Sequence, residues 1–271
     1  MKKFLYYHIY VRWDLDSTLD IILEQMKAME DSGLLDQFDA YNFVLINRSD
    51  NSAHQKYLET LLKSFVADNK SKINFHYHEN PFYTDEEMIR NIASPKMITE
   101  NVTYRKLFNF ASSVPEESLI CYIHTKGITR TIQHYSLDME SIKRYYYWRQ
   151  YLNWGVISNW RKCVEKIEIE KFDVSGINFT VNPSPHYSGN FWWATTDHIK
   201  KLPNPATIGW WHDLQQKSTD HWLRNVADDR YRDEQWLCSL PGTKAYNVAD
   251  LPDFKNPAFR LLPRSEYGEI N

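Results

Sequence analysis

The sequence lacks the features that mark several large classes of protein. Its formal net charge is −3 at pH 7, and no run of Lys or Arg is longer than a pair. Because nucleic-acid binding relies on clustered positive charge, no nucleic-acid partner is expected. No apolar run is long enough to span a bilayer, and the N-terminal stretch MKKFLYYHIYVRWD lacks the apolar core and cleavage site of a signal peptide. We therefore expect no transmembrane segment and a cytoplasmic protein, with a peripheral position at the inner face of the membrane left open.

Cysteine is also scarce. Cys121, Cys163 and Cys238 lie far apart in the sequence, which favours free thiols in a reducing compartment over a disulfide framework. No Cys/His spacing typical of a metal site occurs. Aromatic residues, in contrast, are abundant, with 10 Trp, 18 Tyr and 13 Phe. Clustered Trp and Tyr rings often bind sugars or other flat ligands, and a ring-rich core is the equally weighted alternative for any one residue.

Strand and helix patterns alternate through the first half of the chain. Apolar strands are predicted at Phe4–Val11, Tyr41–Ser49, 72–80 and 118–127, and amphipathic helices lie between them. This order predicts a parallel sheet, and hence an α/β, Rossmann-like fold with a mixed, mainly parallel sheet flanked by helices. No linker or repeat divides the chain. We expect a single domain over 1–271, with a nucleotide-binding half at 1–130 and an acceptor half with an irregular C-terminal tail at 131–271.

The fourth predicted strand ends on His124, Thr125, Lys126 and Gly127. Ligands of open α/β sheets bind beyond the carboxyl ends of the strands, so these residues lie where a ligand is expected. Lys126 offers a point charge, His124 a donor or second cation, and Thr125 and Gly127 a hydroxyl and open backbone N–H groups. The group suits a phosphate or diphosphate, and a polar loop without function is the alternative.

A second candidate stretch is HYSGNFWWATTDHIKKL, which begins at His186. Gly189 would allow close approach to the backbone, and Asn190, after Ser188, can donate and accept hydrogen bonds. Trp192 and Trp193 are adjacent on a strand and so point to opposite faces. One ring can belong to the core while the other stacks on a sugar, although burial of both is the alternative.

The third candidate stretch is YRDEQWL. Asp233 and Glu234 precede Trp236 and, on a helix, point in different directions, so only one is expected to face a cleft. A carboxylate beside an aromatic wall can act as a general base. The alternative is a solvated helix start, where acidic residues are favoured.

Taken in order, these segments resemble a group of bacterial and viral polysaccharide glycosyltransferases that carry an H-S/T-K-G strand end and an S-G-N-F-W-W strand. The similarity spans about Leu119 to Leu237 and is carried by YIHTKG, YWRQYL, DVSGINF, SGNFWWATTDHIKKLP and RDEQWL. The first half matches only in general pattern, like the nucleotide half of a GT-A fold. The grouping includes galactofuranosyltransferases of O-antigen and capsule synthesis.

This resemblance implies transfer of a sugar from a nucleotide-sugar, UDP-sugar foremost, to an oligosaccharide or lipid-linked glycan of capsule or lipopolysaccharide. The uracil and ribose would lie near Tyr10, Asp14 and Asn47, and His124 and Lys126 would neutralise the leaving diphosphate. The segment from His186 to Trp193 would shape the sugar and acceptor site. Glu234, or Asp233, would deprotonate the acceptor hydroxyl in an inverting displacement, and a retaining reaction, which needs no such base, is the alternative.

The expected site departs from typical GT-A enzymes in one respect. Those enzymes end the corresponding strand on an Asp-x-Asp pair that holds a divalent metal, whereas this chain has His124, Thr125 and Lys126 there. We therefore expect no metal cofactor, with Mn²⁺ or Mg²⁺ as the alternative. Asp14 and Asp16 also form an Asp-x-Asp pair, interpreted as a donor-base loop or helix lead-in. A carbohydrate-binding protein and a nucleotide-sugar hydrolase are the rival functions.

Overall fold

A computed structural model of the chain describes residues 1–11, 15–47, 52–66, 72–79, 100–126, 139–182, 184–207, 229–249 and 267. Its strands are β1 Lys3–Tyr10, β2 Ala40–Asn47, β3 Lys72–Glu79, β4 Leu119–His124, β5 Val174–Gly176, β6 Phe179–Thr180, β7 His186–Tyr187, β8 Trp192–Thr195 and β9 Ala245–Asn247. Its helices are α1 Leu15–Asp31, α2 Ser52–Phe65, α3 Asn101–Ser113, α4 Met139–Asn153, α5 Trp160–Glu168, α6 Thr196–Lys201 and α7 Asp229–Trp236, together with a 3₁₀ turn at Leu35–Gln37.

Seven strands of the described residues form one central sheet in the order β3-β2-β1-β4-β8-β5-β9. The first four strands are mutually parallel, β8 runs antiparallel to both of its neighbours, and β5 pairs in parallel with β9. A separate two-stranded sheet joins β6 and β7. The predicted fold class, a mixed and mainly parallel sheet flanked by helices, is therefore confirmed.

Alternating side chains place a hydrophobic core on each face of the sheet. Leu5, Tyr7 and Ile9 of β1 belong to the core beneath α1 and α2, while Tyr6 belongs to the opposite core beneath α3 and α7. This alternation follows from the two-residue period of a strand. Because helices cover both faces, the strands are apolar on both sides, as parallel strands in such folds are.

The long helical region between β4 and β5 is interrupted. A π-helical turn at Trp154–Ser158 separates α4 from α5, and Trp154 and Gly155 are buried within it. Such turns widen the helix by one residue per turn and often occur near functional sites. The turn packs against α1, so α4 is held over the sheet edge where β4 ends.

The topology determines where a ligand can bind. From β1 the chain proceeds outward through α1 and α2 to β2 and β3, and then returns to β4 on the other side of β1. The carboxyl ends of β1 and β4 therefore flank the point at which the strand order reverses. Open α/β sheets bind their ligands at this point. No helix in the described part of the chain is both long and apolar enough to cross a bilayer.

Candidate functional site

The ends of β1 and β4 are tied together by the residues that follow β4. The Thr125 backbone N–H donates to the carbonyl of His8 at 3.1 Å, and the Tyr10 N–H donates to Oγ1 of Thr125 at 3.0 Å. Asn47 ends β2 at the same edge and is buried. The predicted donor residues Tyr10, Asn47 and Thr125 thus share one edge of the sheet, next to the reversal of the strand order.

His124 joins this edge to the loop after β7. Its Nε2 lies 2.9 Å from the carbonyl oxygen of Gly189, and because a carbonyl can only accept, this nitrogen carries the proton. The other ring nitrogen, Nδ1, lies 3.8 Å from Oε1 of Glu100. The His124 ring therefore lies between the Gly189 carbonyl and the Glu100 carboxylate.

Glu100 anchors a buried polar cluster. Its Oε2 accepts hydrogen bonds from the hydroxyls of Tyr122 at 2.8 Å and Tyr104 at 3.2 Å, and also from the side-chain amide of Asn190. The Asn190 backbone has φ +61°, a left-handed conformation that Asn tolerates better than most residues. Its Oδ1 accepts from the indole of Trp192 at 2.9 Å. Asn190 is therefore a structural junction between Glu100 and the core.

Lys126 lies almost entirely out of solvent, with 4% of its surface exposed. Its Nζ is 3.4 Å from Oε1 of Glu234 on α7 and 4.3 Å from the centre of the Trp148 ring on α4. A buried ammonium needs such partners because its desolvation is costly. The Lys126–Glu234 pair joins the end of β4 to helix α7, two candidate segments that were identified separately in the sequence.

Arg149 supports the backbone beneath Lys126. Its guanidinium forms a bidentate pair with Glu24 of α1, with both N–O distances at 2.9 Å, and donates to the Lys126 carbonyl at 3.2 Å. Asn153 donates to the same carboxylate at 2.7 Å. Such planar, charge-assisted pairs fix geometry as well as contributing energy. They hold the end of β4 against α1 and α4.

Burial changes the proton affinity of several groups around this cluster. His8 of β1 lies 2.8 Å from Oγ1 of Thr103 through Nδ1, and burial lowers its pKa to about 4. Burial, followed by the charge of Glu100, raises the pKa of Tyr104 and Tyr122 well above the usual value. Both hydroxyls are therefore neutral donors to Glu100 at physiological pH.

Asp233 and Glu234 have different partners, as their adjacency on a helix led us to expect. Glu234 contacts Lys126, whereas Asp233 is 2% exposed and accepts the backbone N–H of Asn101 at 3.1 Å. Asp233 thus joins α7 to the first residue of α3, a role in structure. Of the two, Glu234 is the better candidate for proton transfer because its carboxylate lies beside Lys126.

The expectation that Trp192 or Trp193 offers a ring to a sugar is wrong. Both are 0% exposed. Trp192 stacks on Tyr122 at 4.9 Å in one core, and Trp193 stacks on Phe38 at 5.9 Å in the other. The physical reason is that β8 is an internal strand with both faces covered, so neither side of it meets solvent.

The other predicted acceptor-site residues, from His186 to Gly189, also make hydrogen bonds and packing contacts within the protein. His186 is buried and contacts the Ser184 carbonyl through Nδ1 at 2.7 Å, and Ser188 is joined to Asn178 by hydrogen bonds in both directions. Gly189 has φ +95° and packs so closely that an added Cβ would lie 2.8 Å from Cδ1 of Leu152. Gly189 thus allows α4, and not a ligand, to pack closely against the backbone. The Gly189 carbonyl accepts the hydrogen bond from His124.

Two predicted donor residues, Asp14 and Gly127, lie outside the described residues, as does most of the C-terminal tail. The structure also assigns to the site four residues that were not predicted as site residues, namely Glu24, Glu100, Trp148 and Arg149, of which Trp148 and Arg149 lie within the YWRQYL segment. Glu100 belongs to an acidic stretch without periodicity, and the other three lie in ordinary amphipathic helices. A buried charge leaves no local signature in the sequence when its partner is distant, so these positions could not be selected beforehand.

The described residues do not fit a metal centre. Among them, no group of three or more His, Cys, Asp or Glu side chains is arranged to hold an ion. The carboxylates at this edge are instead engaged by Arg149, Lys126 and buried hydroxyl or amide donors.

Comparison with known proteins places the chain in a family. Residues 6–265 match the model of DUF8361, described as a domain of unknown function, and the chain belongs to that family. A search of curated proteins gave no match. Among solved structures, the chain is similar to the apo form of mouse xyloside xylosyltransferase 1, with 11% identity, a TM-score of 0.36, and 92% of this chain and 85% of that chain covered. A likeness of this extent assigns no activity.

Proposed function

We propose that the protein is a glycosyltransferase that uses a nucleotide-sugar donor. The observation that supports this most directly is the meeting of Lys126, His124 and Glu234 at the reversal of the strand order. Two groups that suit a leaving diphosphate there adjoin a carboxylate that suits proton removal. A UDP-sugar is the proposed donor, and the proposed acceptor is an oligosaccharide or lipid-linked glycan of a cell-surface polysaccharide.

The donor would lie across the ends of β1, β2 and β4. The uracil and ribose would lie near Tyr10 and Asn47, and the diphosphate near His124 and Lys126. The Arg149–Glu24 pair would keep the Lys126 backbone in place as the ligand enters. This arrangement follows the general rule for open α/β sheets, in which the phosphates lie beyond the strand ends.

Lys126 and Glu234 would exchange partners during the reaction. In the free protein each neutralises the other across 3.4 Å. When the diphosphate arrives, Lys126 turns to it and leaves Glu234 beside the acceptor hydroxyl. The acceptor oxygen then forms a bond to the anomeric carbon as the bond from that carbon to the diphosphate oxygen breaks, and Glu234 takes the hydroxyl proton. The leaving group's charge is held by Lys126 and His124.

The charge balance at this edge bears on whether the donor diphosphate needs a divalent cation in order to bind. Four carboxylates, those of Glu24, Glu100, Asp233 and Glu234, face two permanent cations, Lys126 and Arg149, among the described residues. A diphosphate added without counter-charge would be repelled unless the Lys126–Glu234 pair opens and His124 is protonated. We propose that these changes suffice without a divalent ion. The alternative is that the donor binds together with Mn²⁺.

The first experiment measures thermal stabilisation by UDP, other nucleoside diphosphates and UDP-sugars, each with EDTA and with Mn²⁺. Stabilisation by UDP compounds in EDTA supports the proposal, and no response to any nucleotide overturns it. Stabilisation only with Mn²⁺ overturns the metal-free form. Lys126→Ala should weaken UDP binding by about tenfold, since a charge-assisted contact is lost. Lys201→Ala is the matched control because that lysine is exposed on α6, at the opposite edge of the sheet.

Glu234→Gln separates proton removal from donor binding. Turnover, measured as UDP release in the presence of acceptor extracts, should fall by at least about a hundredfold. UDP affinity should rise by about threefold to tenfold because Lys126 no longer has to leave an ion pair. Glu117→Gln, an exposed position just before β4, is the control. Unchanged turnover would exclude Glu234 as the base, and weaker UDP binding would exclude the exchange of partners.

A further inference from the structure

A cavity lies beside helix α7, separate from the Lys126–Glu234 pair. Its volume is about 240 Å³, and its wall includes Ser184, Gln235, Cys238, Leu240 and Pro241. Pockets for drug-sized ligands are usually about 300–1,000 Å³, so this cavity suits a smaller group, the size of one sugar ring.

Two polar side chains in the cavity wall lack hydrogen-bond partners. Gln235 is 3% exposed, and its amide makes no hydrogen bond to the described residues but is not fully buried, so it remains open to a ligand. The Ser184 hydroxyl is buried and likewise has no partner among the described residues. Buried polar groups are nearly always satisfied, and an unsatisfied one costs about 1–3 kcal/mol. A ligand that hydrogen-bonds to the Ser184 hydroxyl would remove that cost, and the Gln235 amide can bond to the same ligand.

The remaining wall determines the charge and polarity of a suitable ligand. Every described residue that lines the cavity is neutral, and burial raises the pKa of the Cys238 thiol to about 12, so this group also stays uncharged. Pro185, Leu240 and Pro241 supply an apolar surface. A neutral sugar combines hydroxyls with an apolar C–H face and matches such a wall, whereas an acidic sugar or phosphate would find no counter-charge.

The cavity is linked to the candidate site along two segments of chain. Gln235 directly follows Glu234 on α7, and Ser184 leads through β7 to Gly189 and Asn190, which contact His124 and Glu100. We infer that the cavity binds a neutral sugar unit of the acceptor glycan, next to the unit that reacts at Glu234. This assignment rests on the proposed glycosyltransferase function and adds to it the chemical class of the acceptor.

The test is saturation-transfer NMR on the whole chain with methyl glycosides of neutral hexoses, 6-deoxyhexoses and N-acetylhexosamines, and with methyl glucuronide as the acidic probe. At least one neutral glycoside should receive saturation, and methyl glucuronide should not. Gln235→Leu, which keeps the volume and removes the amide, should weaken that binding by about tenfold. Ser184→Ala, a smaller change, should weaken it by about threefold. Gln37→Leu, at an exposed position in the 3₁₀ turn, is the matched control and should bind as the wild type does.

The outcomes distinguish this inference from the proposed function. Saturation of no neutral glycoside, or unchanged binding by a Gln235→Leu or Ser184→Ala variant that melts like the wild type, would overturn the assignment of the cavity. In that case UDP stabilisation could still support the donor site. Glycoside binding that depends on Gln235 but is accompanied by no response to any nucleotide would retain the sugar site and overturn the transferase. If Gln235→Leu does not fold, the Ser184→Ala affinity decides.

Discussion

His8 makes the stability of the protein depend on pH in a way that can be calculated. It is 5% exposed on β1, and burial lowers its pKa from 6.5 to about 4. Nearby charges act in both directions, since Glu100 raises the pKa while His124 and His78 lower it. Below pH 6.5 the unfolded chain gains a proton at this position that the folded chain does not. Stability is therefore fully present above that pH and is lost as the pH falls towards 4.

The size of this effect follows from the same pKa values. A pKa difference of about 2.5 corresponds to about 3 kcal/mol at 1.36 kcal/mol per pH unit, a large part of the stability of an ordinary domain. The variant His8→Gln has no group that titrates there. We expect the wild type to lose about 2–3 kcal/mol more than this variant between about pH 7.5 and about pH 4.5.

Urea unfolding at the two pH values measures this difference. Any loss of packing or of the Thr103 contact in His8→Gln lowers stability at both pH values and cancels in the comparison. His54→Gln, at a partly exposed position on α2, is the control and should follow the wild type. Equal acid destabilisation of wild type and His8→Gln would refute the reasoning, because it would show that His8 charges as readily in the folded protein.

Other predictions concern single positions. Gly189→Ala should lower the free energy of unfolding by about 2–4 kcal/mol, because φ is +95° and the new Cβ would lie 2.8 Å from Leu152, and urea titration measures this loss. Glu100→Gln should lower it by about 1–3 kcal/mol, since charge-assisted hydrogen bonds from two tyrosines become neutral ones, and thermal melting reports it. A thiol reagent at neutral pH should label the native chain slowly and the urea-unfolded chain fast, because burial raises the pKa of all three thiols, those of Cys121, Cys163 and Cys238.

Each of these predictions has a control or a contradicting result. Gly242→Ala is the control for position 189, because Gly242 has φ +82° but open space around it, so the two variants differ by the clash alone. Equal losses at both positions would contradict the close packing of α4. A Glu100→Gln protein as stable as the wild type would show that Tyr104 and Tyr122 do not depend on the charge. Labelling of any cysteine in the native protein at the unfolded rate would contradict its burial.

The secondary structure and the fold class could be predicted from the sequence because they depend on local patterns. Apolar runs bounded by polar turns predicted the strands, and their alternation with amphipathic helices predicted a mainly parallel sheet. The end of β4 at His124 was visible for the same reason, since the apolar run stops there. The edge of the sheet that carries the candidate site followed from the direction of the strands alone.

The side-chain partners within the site were decided by the tertiary structure. Lys126 and Glu234 are 108 residues apart, and Glu100 meets Asn190 across 90 residues, so no local pattern joins them. The burial of Trp192 and Trp193 was likewise not predictable from the local sequence pattern. A two-residue period states that two rings face opposite ways, but whether each face is covered depends on helices that the strand does not encode. The sequence by itself therefore determined the mainly parallel sheet and the edge that carries the candidate site, while long-range packing decided which charges are paired there and which rings are buried.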